Sequence, residues 1–73
     1  MEQKPVEPVT WVAQGTLYRL RPSAKGRPPV LYATGPSGYA RFAYTALTDS
    51  DVASWAELTP NERTQRAAQL LPP

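Results

Sequence analysis

The sequence predicts an α+β fold: a small antiparallel sheet of three or four strands, with one or two C-terminal helices packed on one face. Three observations predict it. Residues that suit a pleated surface fill Val9–Arg21 and return in Val30–Thr34 and Tyr39–Leu47. Gly- and Pro-rich stretches separate these runs. Two helix-start signals follow in the last third. At 73 residues there is room for one domain, read as 9–73 behind a flexible N-terminal tail at 1–8.

The tail, MEQKPVEP, is charged, and Pro5 and Pro8 block regular pairing. It is either a disordered end or an arm that orders on a partner. Val9–Arg21 is interrupted by Gly15, which makes either a bulge in one long strand or a turn between two short ones. Beyond it, Thr16, Tyr18 and Leu20 share one face while Leu17, Arg19 and Arg21 share the other, as strand alternation requires. Pro22–Pro29 is a loop by composition, and Val30–Thr34 is the next strand. Gly35–Gly38 then reads as a hairpin connection. It lacks the Lys-Ser/Thr end of a phosphate-binding P-loop and no helix follows it. Along Tyr39–Leu47 the face holding Phe42 and Tyr44 is assigned to the core, and Arg41, beside Tyr39, to solvent or a partner.

Thr48 precedes Asp51 by three residues, and Val52, Trp55 and Leu58 follow at helical spacing. Thr59-Pro60-Asn61-Glu62 is a stronger start, with a cap, Pro at the first helical position and Glu at the third. The two segments either merge or stay separate. Val52, Trp55 and Leu58 would join the inward residues of the sheet to form the core.

Composition narrows the chemistry. The chain has no cysteine and no histidine, which removes disulfides and the usual zinc ligands. It also lacks the side chains best suited to proton transfer and nucleophilic attack near neutral pH. Ser and Thr have no evident base beside them, so a non-enzymatic protein without a cofactor is expected. No signal-peptide pattern and no membrane-length apolar run is present, so a cytoplasmic protein is expected. A monomer is expected too.

Charge is unevenly placed. Between Thr10 and Leu47 lie Arg19, Arg21, Lys25, Arg27 and Arg41 with no acid, while all six acids lie outside. The net +2 therefore conceals a middle segment of +5, which also holds six of the seven aromatic residues. A basic, aromatic segment suits a binder of something acidic, either nucleic acid or an acidic protein patch. The candidate partner-binding residues are Trp11, Arg19, Arg21, Lys25 and Arg27. Trp11, at the junction of tail and sheet, either anchors an interface or plugs one end of the core. Tyr18, Tyr32 or Tyr39, if exposed, could stack on bases. No helix-turn-helix, zinc-finger spacing or RNP-type motif accompanies them.

In outline, a flexible head (MEQKPVEP), an aromatic basic hairpin region (TLYRLRPSAKGRPPVLYATG) and a helical end (TPNERTQRAAQLL) resemble a known class. These are small phage-encoded host-takeover proteins, in particular the transcription regulators of lytic Xanthomonas phages that bind bacterial RNA polymerase. The resemblance covers length and order of elements and carries no residue assignment across. It implies a protein that grips the polymerase at the β′ N-terminal region and near the β flap, displaces σ to inhibit host initiation, and promotes antitermination. A basic face docking on an acidic polymerase surface is compatible with this. The alternatives are a small nucleic-acid-binding protein using the same face, an inhibitor of another host or defence complex, and a small structural or assembly subunit.

Overall fold

A computed structural model describes residues 6–72. Four strands, β1 (Val9–Ala13), β2 (Thr16–Arg21), β3 (Val30–Thr34) and β4 (Ala40–Tyr44), precede two helices, α1 (Asp49–Trp55) and α2 (Pro60–Leu70). The strands form one antiparallel meander in the order β1-β2-β3-β4, with both helices on one face. This is the expected α+β arrangement. Of the tail, Met1–Pro5 lie outside the described residues, and Val6 packs against the edge of the core. Among the described residues no helix is long and apolar enough to cross a membrane, and no cluster of acidic residues is placed to hold a metal ion.

Gly15 is a turn. Gln14 and Gly15 both have positive φ (52° and 78°), so β1 and β2 are joined by a two-residue primed turn that matches the twist of a hairpin. Lys25 and Gly26 repeat the device at φ 51° and 77°, with Ala24 and Arg27 bridging across them. The loop between β2 and β3 is therefore a small hairpin in its own right.

Each helix begins where its capping signal stands. The Thr48 hydroxyl accepts from the Asp51 N–H at 3.1 Å, and Asp51 accepts from the Thr48 N–H at 2.9 Å. Thr59 and Glu62 make the same reciprocal pair at 3.2 and 3.0 Å. Such caps contribute about 1 kcal/mol each, which matters for helices of seven and eleven residues. The helices stay separate, because the chain leaves α1 through a tight turn at Ala56–Leu58 before Thr59 opens α2.

The core lies between the helices and one sheet face. Leu20, Leu31 and Val52 are fully enclosed, with Val9, Trp11, Ala33, Trp55, Ala67 and Leu71 around them. Trp11 is 5% exposed and stacks on its cross-strand partner Tyr18, with ring centroids 5.0 Å apart and planes 7° from parallel. Its Nε1–H donates to the Thr64 hydroxyl at 3.1 Å, and the Arg63 guanidinium lies 5.8 Å over its ring. Arg63 is held there by donating to the carbonyls of Trp55 and Ala56.

The expectation for β4 is overturned. Phe42 and Tyr44 are 57% and 56% exposed, and the covered face instead receives Arg41 and Ala43. Parity explains the reversal. Gly35 N–H donates to the Tyr39 carbonyl, closing the β3–β4 connection in a register that sets Thr34 opposite Ala40. Ala43 then faces the buried Leu31, and Phe42 falls opposite Tyr32 on the other side. Arg41 sits at the sheet's edge and donates to the Pro72 carbonyl at 3.0 Å.

Candidate nucleic-acid interface

Among the described residues no helix packs over the second sheet face. Alternation and register together bring Val12, Leu17, Arg19, Arg21, Val30, Tyr32, Thr34, Phe42 and Tyr44 to that side. Cross-strand pairing arranges the middle of the face in two rows. One runs Arg19–Tyr32–Phe42 and the other Arg21–Val30–Tyr44. Neighbouring strands lie about 4.8 Å apart, so the Cα atoms of the β2 arginines stand about 5–10 Å from those of the ring-bearing residues on β3 and β4. That interval is the reach of one nucleotide from base to phosphate.

The rings support one another without closing off their surfaces. Tyr32 and Phe42 are 6.1 Å apart and inclined by 34°, and Phe42 meets Tyr44 edge to face at 6.1 Å and 88°. Such cross-strand pairs stabilise a sheet by roughly 0.2–1 kcal/mol. They leave no parallel slot into which a base could slide, so a flat ligand would lie on the rings as on a platform.

The β2–β3 hairpin stands at one end of this platform. With β2, β3 and β4 it walls a cleft of about 370 Å³ to which Arg21, Lys25, Arg27, Val30, Tyr32 and Tyr44 contribute. The hairpin is pinned at both ends. Asp49 at the start of α1 accepts from the Ser23 N–H and hydroxyl, both at 2.8 Å. Thr45 donates its N–H and its hydroxyl to the Pro29 carbonyl at 2.8 and 2.9 Å.

Four of the five candidate residues meet here. Arg19 and Arg21 flank a shallow depression with Leu17, Tyr32 and Thr34, and Arg21 continues into the cleft that holds Lys25 and Arg27. These four cations have no side-chain hydrogen-bond partner among the described residues, whereas Arg41 and Arg63 are tied to carbonyls. No acidic side chain shares the face among the described residues. Trp11, the fifth candidate, is the exception. It points the opposite way and is spent on packing the helices, so it is a core residue and not an interface anchor.

Of the rings considered for stacking, Tyr32 is on the platform, Tyr18 lies beneath Trp11, and Tyr39 is exposed in the β3–β4 connection. Phe42 and Tyr44 are the platform residues that sequence reasoning placed wrongly. The signal for them was the parity of β4 against β3, which hinges on the length of the Gly35–Tyr39 connection. Comparison with protein families, curated proteins and solved structures finds no match, so the chemistry of this face alone carries the functional reading.

Proposed function

We propose that this chain is a non-enzymatic nucleic-acid-binding module that takes a single strand on the open face of its sheet. One observation carries the reading: the exposed Phe42 and Tyr44 rings and the partly covered Tyr32 ring stand beside two arginines of β2 that have no side-chain partner among the described residues, with two further cations in the adjoining hairpin. An acidic protein patch would satisfy the cations but would need apolar groups of its own to cover the rings. A single strand offers both partners at the right interval, a base with a π face and a phosphate one sugar away. A duplex keeps its base faces stacked inside and offers only charge. A stacked base contributes about 1–3 kcal/mol whatever its identity, so the module is expected to bind with weak sequence preference.

The test is fluorescence anisotropy with labelled oligo(dT), oligo(U) and a duplex of about ten nucleotides, the span of a small single-strand site. The single strands are expected to bind more tightly than the duplex. Four phosphate contacts give a log K against log salt slope of about −3 for a single strand. A duplex bound as well as the single strands would overturn the stacking reading. Capture of RNA polymerase subunits from nuclease-treated bacterial lysate, with no oligonucleotide bound at low salt, would return the face to the polymerase-inhibitor reading that the resemblance implies.

A further inference from the structure

The cleft at the hairpin end of the platform differs from the rest of the face in its charge and its shape. Three cations, Arg21, Lys25 and Arg27, surround one concavity, whereas the open rows of the sheet present a single arginine each. The hairpin lies beyond the last row and lines the cleft through Pro22, Ala24, Lys25, Arg27 and Pro28. Val30 at the foot of the cleft is only 8% exposed, and the Tyr44 ring forms its flank. A charged ligand there sits against apolar surface, where each charge-assisted hydrogen bond is worth more than in open water.

The charge count selects among phosphates. A phosphodiester within a strand carries one negative charge, and one arginine answers it. A terminal phosphate monoester carries about −1.5 to −2 near neutral pH and three strong acceptor oxygens. Three cations lining one concavity match the second group. We infer that the cleft is a receptor for a phosphorylated strand end: the terminal phosphate lies among Arg21, Lys25 and Arg27, with the terminal base against Tyr44 or Tyr32. This rests on the single-strand reading of the open face and adds an end preference to it. The Asp49–Ser23 clamp is a positioning contact, since it fixes the hairpin that carries Lys25 and Arg27.

The measurement is a competition among three forms of one labelled single strand: both ends hydroxyl, 5′-phosphorylated, and 3′-phosphorylated. One phosphorylated form is expected to bind about tenfold more tightly than the hydroxyl form, the scale of an added hydrogen bond to a charged group. The form that gains identifies the end that is received. Lys25→Asn provides the control for folding, because Asn-Gly is the preferred pair for a primed turn and the hairpin keeps its shape. In that variant every form is expected to lose the phosphate contact that Lys25 makes to any strand, and the ratio of phosphorylated to hydroxyl affinity is expected to shrink several-fold. Equal affinity of all three forms, with binding itself intact, would overturn the end receptor and leave the platform standing. An undiminished preference in both Lys25→Asn and Arg27→Gln would also overturn it. Absence of binding by every form would remove the platform reading and the receptor together.

Discussion

On the covered face Trp11 stacks on Tyr18 and is sealed by Trp55 and Arg63, while on the open face Phe42 packs between Tyr32 and Tyr44 and stays more than half exposed. Both are aromatic clusters on adjacent strands of one sheet, and both lie near arginines. Their roles diverge because of what stands above them. Over Trp11 the helices supply a hydroxyl for its Nε1–H and carbonyls for the neighbouring guanidinium, so the indole and the guanidinium are both answered within the chain. Over Phe42 there is solvent, and Arg19 and Arg21 have no answering group among the described residues. The comparison teaches that an aromatic-arginine cluster is structural or receptive according to whether the fold completes its polar partners.

That contrast is breakable by substitution. Trp55→Ala is expected to have the largest effect, about 3–5 kcal/mol of lost stability from a buried indole. A domain of this size holds only about 4–11 kcal/mol in total, so the variant should lose a large share of its stability and melt well below the wild type by circular dichroism. A Trp55→Ala variant that melts with the wild type would mean that the covered face is not the core. Phe42→Ala should reverse the pattern, with less than about 1 kcal/mol lost from stability. Its oligonucleotide affinity should instead fall by about 1–3 kcal/mol in anisotropy. Equal losses in both measurements would erase the distinction between the faces.

Thr59→Ala tests the helix side more gently. Removing the cap of α2 should cost about 1 kcal/mol in thermal or urea melts and leave oligonucleotide affinity unchanged. Arg19→Gln should leave the melting curve in place and reduce the salt slope by about 0.7 for the one phosphate released. Acid provides the smallest effect. The Glu62 carboxyl is held below its ordinary value of 4.5 chiefly by the Thr59 N–H and then by the Thr59 hydroxyl, with desolvation opposing them and Arg66 adding a smaller pull downward. Because the folded state depresses this group, its contribution is present above pH 4.5 and is lost as pH falls through the depressed value. Melting temperature followed downward from that pH should decline slightly more for the wild type than for Glu62→Gln.

Local chemistry made most of the fold readable. Thr48, Thr59, Pro60 and Glu62 marked both helix starts because capping is decided within four residues. The alternation of Leu17–Arg21 placed Arg19 and Arg21 outward because Leu20 and Tyr18 had an evident inner side. What local chemistry cannot supply is parity between strands. Phe42 and Tyr44 outweigh Ala43 in hydrophobicity, so sequence alone assigned them inward, whereas the register set by the Gly35–Tyr39 connection turned them out. Trp11 was ambiguous for a related reason: its outcome depends on Thr64, 53 residues away, arriving above it. The basic part of the candidate site was legible, and its aromatic half required the register.

The meander has a further consequence, for the order in which the chain assembles. Each strand pairs only with its neighbours in sequence, so the sheet can zip hairpin by hairpin with little loop entropy to overcome. The helices close over β1 only at the end, through contacts such as Trp11 with Thr64 that span most of the chain. The platform is thus assembled from local pairings, while the opposite side waits bare for the last third of the polypeptide. Without α1 and α2, Trp11, Leu20 and Leu31 have no cover on that face of the sheet, so a chain lacking its last third is expected to be adhesive there.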